Sequence, residues 1–162
     1  MSVLNPYDTF LDGRPVVEIL EETPGALDAL IESIGAENSS EAPAPGKWSP
    51  AEIIAHLADC EVVFAFRLRQ TLAEDNYTIQ PFDQGKWGEQ YAGMSAAEAL
   101  GVFKAMRSWN LRLLRGLKPE SAGRTVTHPE RGTMTFGTIV ETMAGHDLNH
   151  LSQLQRIAGR NS

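Results

Sequence analysis

Apolar residues recur along this chain at alternating three- and four-residue steps in four separate stretches, the pattern of helices that bury one side. The first stretch runs from about Pro15 to Ile34, with Val16, Ile19, Leu20, Leu27, Leu30, Ile31 and Ile34 on the buried side. Thr23-Pro24-Gly25 interrupts it. Proline lacks an amide proton and clashes with the preceding turn, so the pattern predicts either a kink or a fresh start with Thr23 as cap and Pro24 as first helical residue. The second stretch opens at Trp48-Ser49-Pro50-Ala51-Glu52, where Ser49 caps, Pro50 has the φ angle of a first turn and Glu52 completes a capping box. It extends to about Glu74 with Ile53, Leu57, Phe64 and Leu68 inward. The third begins on the capping box Ser95-Ala96-Ala97-Glu98 and continues to about Leu117, with Val102, Phe103, Met106, Leu113 and Leu117 inward and Pro119 just beyond its end. The fourth is capped by Thr135, carries Phe136, Ile139, Met143 and Ile157 on its stripe, and ends at Gly159.

Between the helices the pattern dissolves in three places. Gly35 to Gly46 is rich in Ser, Ala, Pro and Gly and reads as a loop. Asp75 to Gly93 reads as a long crossover containing Tyr77, Ile79, Phe82, Trp87 and Tyr91, with one short helix over Lys86 to Tyr91; a connection this aromatic packs over something. The Thr-rich run from Arg124 to Thr135, broken by Pro129-Glu130-Arg131-Gly132, suggests a small hairpin. Residues 1 to 13 form a lead-in with Tyr7 and Phe10 as its only large tethers. These elements predict an all-α fold, a four-helix bundle with a long crossover between the second and third helices, for which a plain up-down topology is not forced.

Continuing the count of the last helix beyond Met143 lands on His146, His150 and Gln153. Four helical residues turn by about 400°, so His146 and His150 lie one above the other at positions that otherwise hold core side chains. Buried imidazoles need partners, and a metal ion or a closed hydrogen-bond network supplies them. His56, on the inner side of the second helix, alone reads as a core-edge histidine; beside this pair it reads as a third metal ligand, leaving a position open for water or substrate. Cys60, four residues on, is a fourth ligand, a reactive thiol or, the preferred reading, an inert small hydrophobe. Asp59, Glu61 and Asp147 are candidates to orient a ligating imidazole, and only Asp59 has a spacing that brings it close to a ligand on its own helix. His128, before a proline in a turn, is the weakest histidine. Phe82, Trp87 and Tyr91 are the candidate substrate-binding residues over the open position, and Trp48 reads as a staple-type contact at its helix start.

With 162 residues and 42% hydrophobic content, the chain is expected to be one domain spanning 1–162. A net charge of −7 and the lack of a basic stripe exclude nucleic acid as partner, and Arg67, Arg69, Arg112 and Arg115 read as solvated surface. No apolar run of membrane length occurs, the opening residues lack a signal-peptide pattern, and a single cysteine suits a reducing compartment, so the expected location is the cytoplasm.

The run from Gly46 through Trp48, His56 and Glu61, followed by Arg67, Glu98-Ala99-Leu100 and Gly145-His146-Asp147-Leu148-Asn149-His150-Leu151-Ser152-Gln153-Leu154, resembles the DinB-like (YfiT-like) superfamily of metalloenzymes. The resemblance covers nearly the whole chain from about Leu20. It implies a four-helix bundle, His56, His146 and His150 as ligands of a divalent metal such as zinc, nickel or iron, a small-molecule substrate and a homodimer. Some relatives are thiol S-transferases that use bacillithiol or related mycothiol-dependent enzymes, and others have no assigned activity, so the resemblance implies activation of a thiol or water by a transferase of that kind or a hydrolase. A non-catalytic metal-binding or interaction protein on the same scaffold is the alternative.

Overall fold

The computed structural model describes residues 4–159. A short helix α1 (Asp8–Leu11) leads into α2 (Val16–Ile34), α3 (Pro50–Ala73), the short α4 (Gln84–Gly88) and α5 (Ala96–Arg115); strands β1 (Thr125–His128) and β2 (Gly132–Thr135) then precede α6 (Phe136–Ala158). The four long helices form the bundle. No helix among the described residues is long and apolar enough to cross a membrane.

Helix starts follow the local chemistry. Ser49 accepts from the Glu52 amide at 3.3 Å while Glu52 accepts from the Ser49 amide at 2.7 Å, closing the capping box that opens α3. Ser95 and Thr135 cap α5 and α6 through the amides of Glu98 and Thr138.

Helix α3 packs on α5 and α6, and α2 packs on α6 and α5, so α2 and α3 lie across one diagonal and α5 and α6 across the other. Cross-bundle contacts set the directions. Lys104–Asp28 and Arg115–Glu21 make α2 and α5 antiparallel. Glu61–Arg107 and Arg69–Asn110 make α3 and α5 parallel. Two neighbouring parallel helices need a connection that returns along their length, which is the work of the stretch between Ala73 and Ala96.

The core has two apolar halves. One contains Ile19, Leu20, Phe64, Leu68, Leu111, Ile139 and Met143; the other contains Leu27, Ile34, Ile53, Leu57, Phe103, Leu151 and Leu154. Each such side chain contributes roughly 1.5–3 kcal/mol by leaving water. Between the halves lies a polar layer of His56, Glu61, Arg107, Asn110, His146, Asp147 and His150, all buried.

Several expectations change. Helix α2 runs unbroken through Pro24. The missing proline amide frees the Leu20 carbonyl four residues back, and the Arg107 Nη1 donates to that oxygen at 2.9 Å, so tertiary contact replaces the lost helical bond. The short crossover helix is Gln84–Gly88 rather than Lys86 to Tyr91, because Asp83 caps the amides of Gly85 and Lys86 at 3.1 Å each. Val102, read as inward, is 50% exposed, and the α5 stripe instead passes through Leu100, Phe103, Arg107 and Asn110. The hairpin exists and does not stand alone: Ile79 donates to the Thr127 carbonyl at 2.8 Å and Thr127 to that of Tyr77 at 3.0 Å, while Val126 and Met134 enter the core.

Candidate metal centre

The centre is built where α3 meets α6. His56 enters from the second turn of α3, and His146 and His150 from successive turns of α6. Their side chains converge: His146 Nε2 lies 3.1 Å from His56 Nε2 and 3.2 Å from His150 Nε2. Nitrogens bound at about 2.0–2.1 Å to one four-coordinate ion stand roughly 3.4 Å apart, and closer at higher coordination, so the spacing fits one cation. Gln153 Oε1 can only accept, which places the proton of His150 on Nδ1, 3.0 Å away, and turns the Nε2 lone pair toward the cluster. Without a cation, a proton on His146 Nε2 has to serve both neighbouring nitrogens and leaves the buried His146 Nδ1 as an acceptor with no partner. These three residues form the one group of metal-ligating side chains found among the described residues, with ligand atoms all within 4.8 Å of one another.

Burial keeps the rings neutral, the form that ligates. Desolvation, with the neighbouring His150, pushes His56 down to about 3. Desolvation also lowers His146 well below the usual imidazole range, helped by His150, His56 and Arg107, and it lowers His150 against the opposing bond to Gln153.

Sequence comparison agrees with this constellation. A family model described as DinB superfamily matches residues 19–154. The chain belongs to the DinB superfamily. Curated relatives include one from Oceanobacillus iheyensis named "putative metal-dependent hydrolase", 29% identical over 87% of this chain and 83% of its own. A Bacillus cereus protein of the same name is 23% identical over 96% of this chain and 95% of its own. Among solved structures, YfiT from Bacillus subtilis, described as "a probable metal-dependent hydrolase with an unusual four-helix bundle topology", superposes with a TM-score of 0.83 at 21% identity, covering 90% of this chain and 85% of that one. The bundle of this DinB chain is therefore that fold.

Aromatic side chains wall the centre. The Trp48 ring lies 4.9 Å from that of His56 and 5.8 Å from Tyr91, so Trp48 flanks the site and is more than a staple at its helix start. Tyr7 meets His146 edge-on at 5.2 Å, and Phe64 does so at 6.3 Å. Tyr7 comes so close because residue 145 is glycine: a Cβ there would lie 2.6 Å from the Tyr7 carbonyl oxygen. The described part of the lead-in, from residue 4 on, is thus docked on α6, and residues 1–3 lie outside the described residues.

Cys60 Sγ lies 3.5 Å from His56 Nε2 and 4.0 Å from His146 Nε2 but does not join the ligand group. Desolvation and then the nearby Asp147, Asp59 and Glu61 raise its pKa, so the thiol keeps its proton in the metal-free protein. Asp59, expected beside a ligand, instead accepts from the Tyr91 hydroxyl at 2.8 Å. Tyr91 is buried behind Trp48, while Phe82 is half-buried against Trp87 at 4.9 Å and Trp87 is exposed. His128 is buried in the hairpin, where its Nδ1 accepts from the Glu130 amide at 3.2 Å, away from the three-histidine group.

Sequence reading missed the ionic layer under the centre. Arg107, 0% exposed, sends Nε and Nη2 to Glu61 Oε1 at 3.1 and 2.6 Å, and its Nη1 makes a 2.7 Å ion-pair contact with Asp147 Oδ2. Asn110 donates to Glu61 Oε2 at 3.0 Å. Burial opposes the Arg107 charge, but Asp147 and Glu61 outweigh it and raise its pKa; burial raises Glu61 while Arg107 pulls it back. Since Asp147 neighbours His146 and Glu61 neighbours Cys60, this network locks the spacing of the two helices that carry the imidazoles.

Proposed function

We propose that this DinB chain is a metal-dependent enzyme in which His56, His146 and His150 hold a divalent ion and leave a position open for the reacting group. The observation that carries the reading is the convergence of three neutral Nε2 atoms within 3.2 Å steps inside a polar layer. Imidazole donors suit zinc, nickel or iron. When bound, the ion supplies a Lewis acid that brings a water or thiol toward its nucleophilic, deprotonated form near neutral pH.

The chain's own residues prepare that chemistry. Gln153 fixes the His150 tautomer, Tyr7 and Phe64 hold the His146 ring by its edges, and Trp48 covers His56. These rings exclude bulk water from one side, which strengthens electrostatic interactions inside. The relatives' names favour water as nucleophile and hence hydrolysis; S-transfer from a low-molecular-weight thiol uses the same vacancy. The partner is a small molecule, and Phe82 and Trp87 are the candidate contacts for it.

The test offers the zinc-loaded protein an activated ester, and separately a small thiol with an electrophilic acceptor. Turnover of either, abolished by a chelator and restored by the ion, supports the proposal. Turnover of neither at full occupancy, or equal rates from His150→Ala, refutes it.

A further inference from the structure

We propose that the substrate of this centre carries an oxyanion, a carboxylate or phosphoryl group, and that Arg67 on α3 receives it. The inference rests on the metal-centre reading above and names the substrate class for it. His56, Cys60, Phe64 and Arg67 follow one another on α3 at steps of four, four and three, so they share one face, and helical side chains lean toward the N-terminus, here toward the imidazoles. The Arg67 guanidinium is half-buried, held by one 3.3 Å bond from Nη2 to the Gln80 carbonyl and resting 5.8 Å over the Phe82 ring. Its Nε is buried without a partner.

Among the described residues no carboxylate pairs with Arg67. The nearby buried acids are engaged elsewhere: Glu61 and Asp147 face Arg107, and Asp59 accepts from Tyr91. A guanidinium drawn out of water with no counter-charge is unfavourable, and an anionic ligand removes the penalty. Burial opposes the Arg67 charge and Arg131 adds to that, and burial, then Arg131 and Arg67, lower His128, so the two arginines act on the same ground. The positive charges of Arg67 and Arg131 are thus set near one another in a chain of net charge −7.

The test titrates cobalt-loaded protein with inorganic phosphate and, separately, with imidazole, which binds an open metal position without needing a cation nearby. Phosphate affinity is expected to fall about tenfold or more in Arg67→Met and to recover in part in Arg67→Lys, while imidazole affinity stays unchanged. Arg131→Gln, on the hairpin turn, repeats the comparison without touching α3 and is expected to weaken phosphate by a few-fold. Equal phosphate affinity in wild type and Arg67→Met, or a parallel loss of phosphate and imidazole binding in that variant, overturns the assignment while leaving the metal centre standing. If wild type takes up no ion, the metal reading fails separately, and calorimetric phosphate titration of the metal-free proteins decides the role of Arg67.

Discussion

Replacing Arg107 with Met removes the cation that two buried carboxylates share. The Glu61 and Asp147 side chains are 2% and 3% exposed and lie 2.6 and 2.7 Å from the guanidinium, and the Leu20 carbonyl loses the donor that substitutes for the missing Pro24 amide. Breaking a buried pair by removing one partner is destabilising by about 3–5 kcal/mol, and an orphaned carbonyl adds roughly 1–3 kcal/mol, less what the carboxylates recover by taking up protons. A net loss of about 4 kcal/mol at pH 7 is expected. With a urea slope of about 2 kcal/mol/M this moves the unfolding midpoint by roughly 2 M. The sign of the pH dependence separates this cause from a simple cavity. Without Arg107 the folded-state pKa of Glu61, which burial already raises, climbs further above its unfolded value, so the folded variant binds more protons. Its stability relative to wild type therefore improves as pH falls from 7 toward 5. A loss under about 1 kcal/mol, or one independent of pH over that range, would refute the reasoning.

Gly145→Ala should lose about 1–3 kcal/mol although alanine is the better helix former, because the new Cβ meets the Tyr7 carbonyl at 2.6 Å; a higher melting temperature in this variant would show that the lead-in does not hold its place. In the metal-free protein, His56 is pushed down to about 3, so between pH 6.5 and 3 the unfolded chain binds a proton that the folded one does not. Its contribution is complete above pH 6.5 and declines by about 1.4 kcal/mol per unit below it, and replacing His56 with Gln should flatten urea-midpoint-versus-pH data over that window. Gln153→Ala leaves His150 Nδ1 without its acceptor and should weaken metal affinity about 10–100-fold with the fold intact, read by competition with a chromophoric chelator.

The parts of this molecule that were legible in the sequence are those governed by local chemistry. Ser49 with Glu52, Ser95 and Thr135 mark three helix starts because a cap needs only its neighbours. The two α6 histidines stood out because polar residues fell on an apolar count. Arg107 falls on the α5 count in the same way, between Phe103 and Asn110, but a count of apolar residues alone passes over it. Pro24 pointed to a break; the compensating donor lies 83 positions later along the chain, and no local pattern connects the two. Tyr7 is a long-range case as well, since the glycine that admits it sits in α6. The fold class followed from four helical periods, while the diagonal placement of consecutive helices depends on cross-bundle pairs such as Lys104–Asp28.

The central claim is that imidazoles from α3 and α6 share one cation, and metal content tests it most directly. Elemental analysis of protein prepared without a polyhistidine tag and reconstituted with zinc should give one equivalent per chain for wild type and far less than one for a folded His150→Ala variant. Full occupancy in that variant, or none in wild type, would contradict the account.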